Sequence, residues 1–287
     1  MIFDGFALDH IDVGPGVPLR VRHGGSGPAV VLLHGHPRTH TTWWKVAPLL
    51  AEQFTLICPD LPGYGQSTGP TTTPDHSPYS KRAMAAAVAE LIRQLGHHVY
   101  AVAGHDRGAY VAHRLALDFA GRVQKLVIMD AVPIGAALAR VDAHFAASWW
   151  HWFFLGQTDK PAERVISADP EAWYSGDPET MGQENYEDYR RAIHSPETVH
   201  AMCEDYRAGL SVDRAVDDAD QDAGYRVTCP TLLLWSRRDD LEDLYGDPLT
   251  IWHEWADNIS GHSIDSGHHM AEENPGQLVT ALRQFFG

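Results

Sequence analysis

Basic residues are scarce in this chain. Against 38 Asp and Glu there are only 22 Lys and Arg, a formal net charge of -16 over 287 residues. A nucleic-acid-binding face needs clustered cations, so this balance argues against such a partner, and any anionic ligand would depend on a local cation within a repelling field. Cysteine is equally sparse. Cys58, Cys203 and Cys229 stand singly, without metal-type spacing, which predicts reduced thiols and a cytoplasmic protein. No apolar run approaches the roughly 20 residues of a membrane span. The opening Met1-Ile2-Phe3-Asp4-Gly5 lacks a basic stretch followed by an apolar one, so no secretory leader is expected. Repeats and low-complexity tracts are missing. Histidine is plentiful at 18, but the pairs His97-His98 and His268-His269 and the triplet His34-x-His36 do not form a ligand set. Neither a metal nor a cofactor is expected.

What the chain does contain is strand and helix in alternation. Phe6 to Val13 and Leu19 to His23 flank Gly14-Pro15-Gly16 and read as a hairpin. Ala29 to Leu33, Phe54 to Cys58 and Val99 to Ala103 are continuous apolar runs, the pattern of parallel strands buried on both faces. Helical spacing follows from Trp43 to Glu52, and from Ser80, a cap residue, to Leu95, where Gly96 ends it. Val123 to Met129 is a further strand. From Ile134 to about Ala215 the alternation stops and the sequence becomes aromatic-rich and helical. It returns with Thr231 to Trp235, a helix around Leu249 to Ala256, a short strand near His262 to Asp265 and a helix from Pro275 to Phe286. The expected architecture is a doubly wound α/β core, residues 1–133 and 216–287, carrying a helical cap, residues 134–215.

Gly104-His105-Asp106-Arg107-Gly108 sits where a strand turns sharply into a helix. A G-x-nucleophile-x-G pentapeptide there is a nucleophile elbow, whose small flanking residues let strand and helix approach. Its central residue is aspartate. A carboxylate needs no base to activate it, and the helix N-terminus with Arg107 favours its ionised form. The chemistry expected of it is attack on a carbon bearing a leaving group, giving an ester on Asp106. The amides of His36 and Arg107 would form an oxyanion hole. His268, in the last strand-to-helix loop, would take a proton from the water that hydrolyses the ester; its neighbour His269 is expected to be structural. Two acids compete to orient His268: Asp130, after the strand before the cap, and Asp239, in Trp235-Ser236-Arg237-Arg238-Asp239.

These motifs together resemble the haloacetate (fluoroacetate) dehalogenase group of the α/β-hydrolases, relatives of the epoxide hydrolases and haloalkane dehalogenases. The resemblance runs through His34-Gly35-His36-Pro37, the elbow, His113-Arg114, Asp130 with Pro133, His151-Trp152, Met202-Cys203-Glu204-Asp205-Tyr206-Arg207-Ala208 and Ser266-Gly267-His268. It implies an eight-stranded, mostly parallel sheet with an inserted helical cap, and a cofactor-free hydrolytic dehalogenase for short 2-haloacids. By that resemblance Asp130 is the acid, Arg107 pairs with the substrate carboxylate, and His151, Trp152 and Tyr206 receive the halide. A homodimer is a common assembly in the group. Two departures touch the substrate-binding side: Tyr110 stands where acetate-specific relatives carry a second arginine, and His36 replaces the usual aromatic. The cap is also shorter between Trp173 and Tyr186. An epoxide hydrolase using the same Asp106, with His151 and Tyr206 as ring-opening donors, is the alternative. A catalytically idle receptor on this scaffold would have no need of a hydrolytic set.

Overall fold

A computed structural model describes residues 2–14, 16–159 and 161–287. Eight strands form one sheet: β1 (Ala7–Asp12), β2 (Pro18–Gly25), β3 (Ala29–Leu33), β4 (Thr55–Pro59), β5 (Tyr100–His105), β6 (Val123–Met129), β7 (Thr231–Ser236) and β8 (Ile259–Ile264), in the order β1-β2-β4-β3-β5-β6-β7-β8. β1 pairs with β2, and β2 with β4, antiparallel; every other pairing is parallel. This is the α/β-hydrolase fold expected from the sequence.

The apolar runs fall where burial requires them. β3, β5 and β7 are buried along their whole lengths, with helix α2 (Arg107–Asp118) packed on β5 and β6 and helix α1 (Lys81–Gln94) packed against α2. Two elements differ from expectation. The stretch 43–52 is a 3₁₀ turn (His40–Trp43) followed by a single helical turn (Ala47–Leu50), because Pro48 has no N–H to give to a longer helix and fits only its first turn. β8 starts three residues before the expected strand, at Ile259. It is an edge strand with partly exposed residues, so Ser260, Gly261 and His262 carry no apolar signature.

Between Ile134 and Asp222 the described residues form helices and turns only. Among them are α3 (Trp150–Leu155), α4 (Gln183–Ile193), α5 (Pro196–Ala208) and α6 (Arg214–Asp222), the last two joined through a π-helical turn at Gly209–Asp213. The helical run thus extends past Ala215 to Asp222. No helix among the described residues is long and apolar enough to cross a membrane.

Candidate active site

β5 to β8 all end on the same edge of the sheet, and their carboxyl ends carry the chemistry, as open α/β sheets require. Asp106 follows β5 with φ 51° and ψ -120°, a left-handed conformation for a non-glycine residue. It persists because the turn is locked on both sides. A Cβ on Gly104 would collide with the Gly108 carbonyl, and one on Gly108 with the carbonyls of Leu33 and His34, while the Asp106 amide donates to Met129 at 3.0 Å. Asp130, after β6, repeats the device with φ 56° and an amide donating to Leu234 at 2.9 Å. Two carboxylates are therefore thrust out from adjacent strand ends on strained backbone.

The His36 amide donates to Asp106 Oδ1 at 2.6 Å, and the Arg107 amide also bonds the carboxylate. A side chain on Gly35 would strike that carboxylate, so only glycine lets the loop come this close. Burial pushes Asp106 toward protonation. The charges of His268 and Arg107 and the hydrogen bond from the Arg107 amide more than offset it, holding the carboxyl below its ordinary range. Asp106 is an anion whose solvent has been replaced by fixed N–H groups.

His268 Nε2 lies 3.9 Å from Asp106 Oδ2. On the other side of the ring, Nδ1 donates to Asp130 Oδ2 at 2.9 Å and to Asp239 Oδ2 at 2.8 Å. Burial pulls the imidazole pKa down, but hydrogen bonds to Asp130 and Asp239 and the nearby charges of Asp130 and Asp106 raise it well above its ordinary value. The loop that holds His268 is clamped from three directions. His105 Nε2 donates to the His268 carbonyl at 2.7 Å, Ser236 Oγ to the Gly267 carbonyl at 2.7 Å, and Glu273 accepts from the Gly267 amide at 2.6 Å. His105 was visible only as the second residue of the elbow, and nothing in the sequence signals its partner 163 positions away.

Above this edge lies a cavity of about 220 Å³, lined by His36, Asp106, Tyr110, Asp130, His151, Trp152, Tyr206, Asp239, Asp240 and His268, with His269, Ser148, Trp149 and Leu241 completing it. It is smaller than the range usual for drug-sized ligands. His151 and Trp152 come from α3 and Tyr206 from α5. Rings of His36, His151 and Trp152 surround Tyr206 with centroids 5.2 to 6.2 Å away, leaving the Tyr206 hydroxyl, the Trp152 N–H and the His151 ring without a hydrogen-bond partner among the described residues. Burial holds His151 down to about 4 and His36 to about 3, so both are neutral at physiological pH.

Arg107, expected at the substrate carboxylate, has a partner within the protein. Its guanidinium is buried and turned to Asp205 on α5, with Nη2 to Oδ1 at 2.8 Å, Nε to Oδ2 at 3.1 Å and Nη2 to the Asp205 carbonyl at 3.0 Å. It stacks behind Tyr206, 4.2 Å from the ring centroid. Lys81 and the Tyr64 hydroxyl share the same carboxylate. The guanidinium is thus already paired within the protein, to a residue 98 positions away, and among the described residues no Lys or Arg lines the cavity.

Comparison with known proteins bears on the family. Residues 28–275 match the model of the alpha/beta hydrolase fold. The chain belongs to that family. It is 37% identical to a fluoroacetate dehalogenase from Burkholderia sp, covering 99% of this chain and 95% of the relative. It is 31% identical to a soluble epoxide hydrolase from Corynebacterium sp. (strain C12), again covering 99% and 95%. The crystal structure of ALR0039 from Nostoc sp PCC 7120 superimposes with a TM-score of 0.95 at 38% identity, covering 100% of this chain and 99% of that one. Membership with such relatives makes this α/β-hydrolase chain a hydrolase.

Proposed function

We propose that the protein is a cofactor-free hydrolytic dehalogenase for short 2-halocarboxylic acids, working through an ester on Asp106. The observation that carries this reading is the set of unpartnered donors facing an ionised carboxylate: Tyr206, Trp152 and His151 across the cavity from Asp106. Asp106 Oδ2 attacks the halogen-bearing carbon, and a carbon–oxygen bond forms as the carbon–halogen bond breaks. The departing halide gains a full charge as it leaves, and N–H and O–H groups aimed at it stabilise the transition state more than the ground state. His268 Nε2 then takes a proton from water, whose oxygen bonds to Asp106 Cγ. The His36 and Arg107 amides hold the oxyanion; its collapse regenerates the Asp106 carboxylate and breaks the bond to the alkoxide oxygen, which takes the proton back from His268 and leaves as the hydroxy acid. Alkylation also removes one of the anions around His268, so the imidazole holds its proton less tightly at the step that needs a base. Under this reading the helical segment from Ile134 is the cap that supplies the halide donors.

The neutral state of His151 and the buried phenol of Tyr206, whose pKa burial pushes well up, suit an anion that leaves without a proton. The second reading, an epoxide hydrolase, is favoured by a different observation: with Arg107 committed to Asp205, the cavity wall offers a carboxylate no free Lys or Arg among the described residues. Halide release from chloroacetate, bromoacetate, fluoroacetate and chloroacetamide, set beside diol formation from styrene oxide, separates the two. Turnover of the haloacids supports dehalogenation. Diol formation with no halide from any halogenated substrate sinks it.

A further inference from the structure

Two acids meet His268, and only one is needed to fix an imidazole tautomer. Asp130 Oδ2 and Asp239 Oδ2 stand 2.9 and 2.8 Å from the same Nδ1, and the three atoms lie within 4.8 Å of one another. We propose that Asp239 is a second positioning acid for His268, so that the imidazole is oriented by a pair of carboxylates from adjacent strand ends and not by Asp130 alone. The proposal rests on the reading of His268 as the base that hydrolyses the Asp106 ester.

The two acids differ in how they are held. The Asp130 carboxylate is 1% exposed and its Oδ1 accepts the Ser236 amide at 3.0 Å, so it is fixed. The Asp239 carboxylate is 28% exposed. It rides on the turn after β7, which is stitched to the His268 side of the sheet by the Arg237 amide to Ile264 (2.9 Å) and the Arg238 amide to Ser266 (3.0 Å). Its adjacent arginines do not neutralise it. Arg237 reaches Ser263, and Arg238 reaches Asp265 and Glu273. Asp239 therefore spends its charge on the imidazole, and a surface ion pair is not its role.

The ring is faced from every side by groups that set its charge. Asp106 lies at Nε2 and the two acids at Nδ1, with Asp240 and His151 further out. The rings of His105 and His269 stand 4.7 and 5.1 Å away, and both are neutral because burial lowers their pKa values. The surroundings are thus anionic. A second carboxylate stabilises the imidazolium that forms as water is deprotonated, but it also keeps the resting ring protonated to higher pH. It supplies redundancy as well, since losing either acid leaves the other on Nδ1.

The test combines Asp130→Asn, Asp239→Asn and the double variant. The His268 ring is titrated by long-range proton–nitrogen NMR without substrate, and chloroacetate turnover is followed against pH. Each single variant should move the His268 titration and the acid limb of turnover to lower pH, and retain activity within about tenfold. The double variant should lose on the order of 10⁴-fold, the scale of losing a histidine-orienting acid, and accumulate ester on Asp106. Asp239→Glu should restore the acid limb toward its original position. An Asp239→Asn protein with an unmoved His268 titration overturns the proposal, as does an Asp130→Asn protein already as inactive as the double. Because the NMR titration needs no turnover, a shift in a protein that processes no haloacid would count against the dehalogenase reading and leave the acid pair standing.

Discussion

Two clusters of aspartate and cation lie on opposite sides of Tyr206, and they are put to opposite uses. In the first, Asp205 is saturated: Arg107, Lys81 and Tyr64 all bind its carboxylate. In the second, Asp106, Asp130 and Asp239 surround a single imidazole, and Asp106 Oδ2 is 3.9 Å from Nε2, beyond hydrogen-bond reach. The chemistry is the same, but the count of partners differs. A buried carboxylate with every lone pair taken is structural, and removing one partner is costly. One held at a distance from its counter-charge on strained backbone is free to react. The sharpest way to test this contrast is to silence each cluster in turn. In the second, Asp106→Asn should abolish turnover by about 10⁵-fold or more, the scale of deleting a covalent nucleophile. His268→Gln should stop the reaction one step later, with the Asp106 peptide retaining the mass of the substrate-derived group. Mass spectrometry that finds no adduct in His268→Gln would remove the ester from the mechanism.

A smaller effect probes the wall between the clusters. Tyr206 presents its hydroxyl to the cavity and its ring to Arg107. Tyr206→Phe keeps the stacked ring and removes one donor, so kcat for chloroacetate should fall by roughly 10²-fold, the usual value of one transition-state hydrogen bond. The fall should be smaller for bromoacetate, whose leaving group needs less help. Equal losses on both would place Tyr206 in packing alone.

The contrast between clusters also explains which parts of the protein were legible in the sequence. The elbow, the sheet edge and the loop of His268 were readable because each is local: a strand, a turn and a helix written in consecutive residues. Asp130 and Asp239 were both visible as claimants, but sequence treats them as alternatives, and only the convergence of β6, β7 and β8 brings both to Nδ1. Arg107 hid its partner Asp205 for the same reason. Its neighbour Asp106 is adjacent in the chain, while the residue that claims its charge comes from α5. His105, which anchors the His268 carbonyl, was hidden because its role depends on a backbone atom, and backbone atoms leave no mark on composition.

Arg107 is where the first cluster can be broken. Arg107→Met leaves Asp205 with Lys81 and Tyr64 but strips its bidentate partner, and loss of stability of about 3 kcal/mol is expected from urea unfolding. Adding Asp205→Asn should recover part of that, as coupled residues do in a double-mutant cycle. If the cation serves only Asp205, kcat/KM for chloroacetate and chloroacetamide should change by the same factor. A loss confined to the charged substrate would mean that Arg107 turns into the cavity to meet it.

The smallest effect lies at the edge of the paired cluster, where Asp217 on α6 accepts the Gly135 amide at 2.8 Å. Burial raises its pKa to about 7, the Gly135 amide opposes this, and neighbouring Asp213 adds to it. A carboxyl that holds its proton more tightly when folded than when unfolded weakens the fold as pH rises from the unfolded value near 4 to the folded one. The penalty is full above pH 7 and fades toward pH 4. Asn at this position keeps an oxygen for Gly135 and carries no charge. Asp217→Asn should therefore stabilise the protein at pH 8, by about 2 kcal/mol once relaxation is allowed for, with a gain that shrinks toward pH 4. A gain in Tm of equal size at both pH values would show that packing at Gly135, and not an uncompensated charge, is what Asp217 costs the fold.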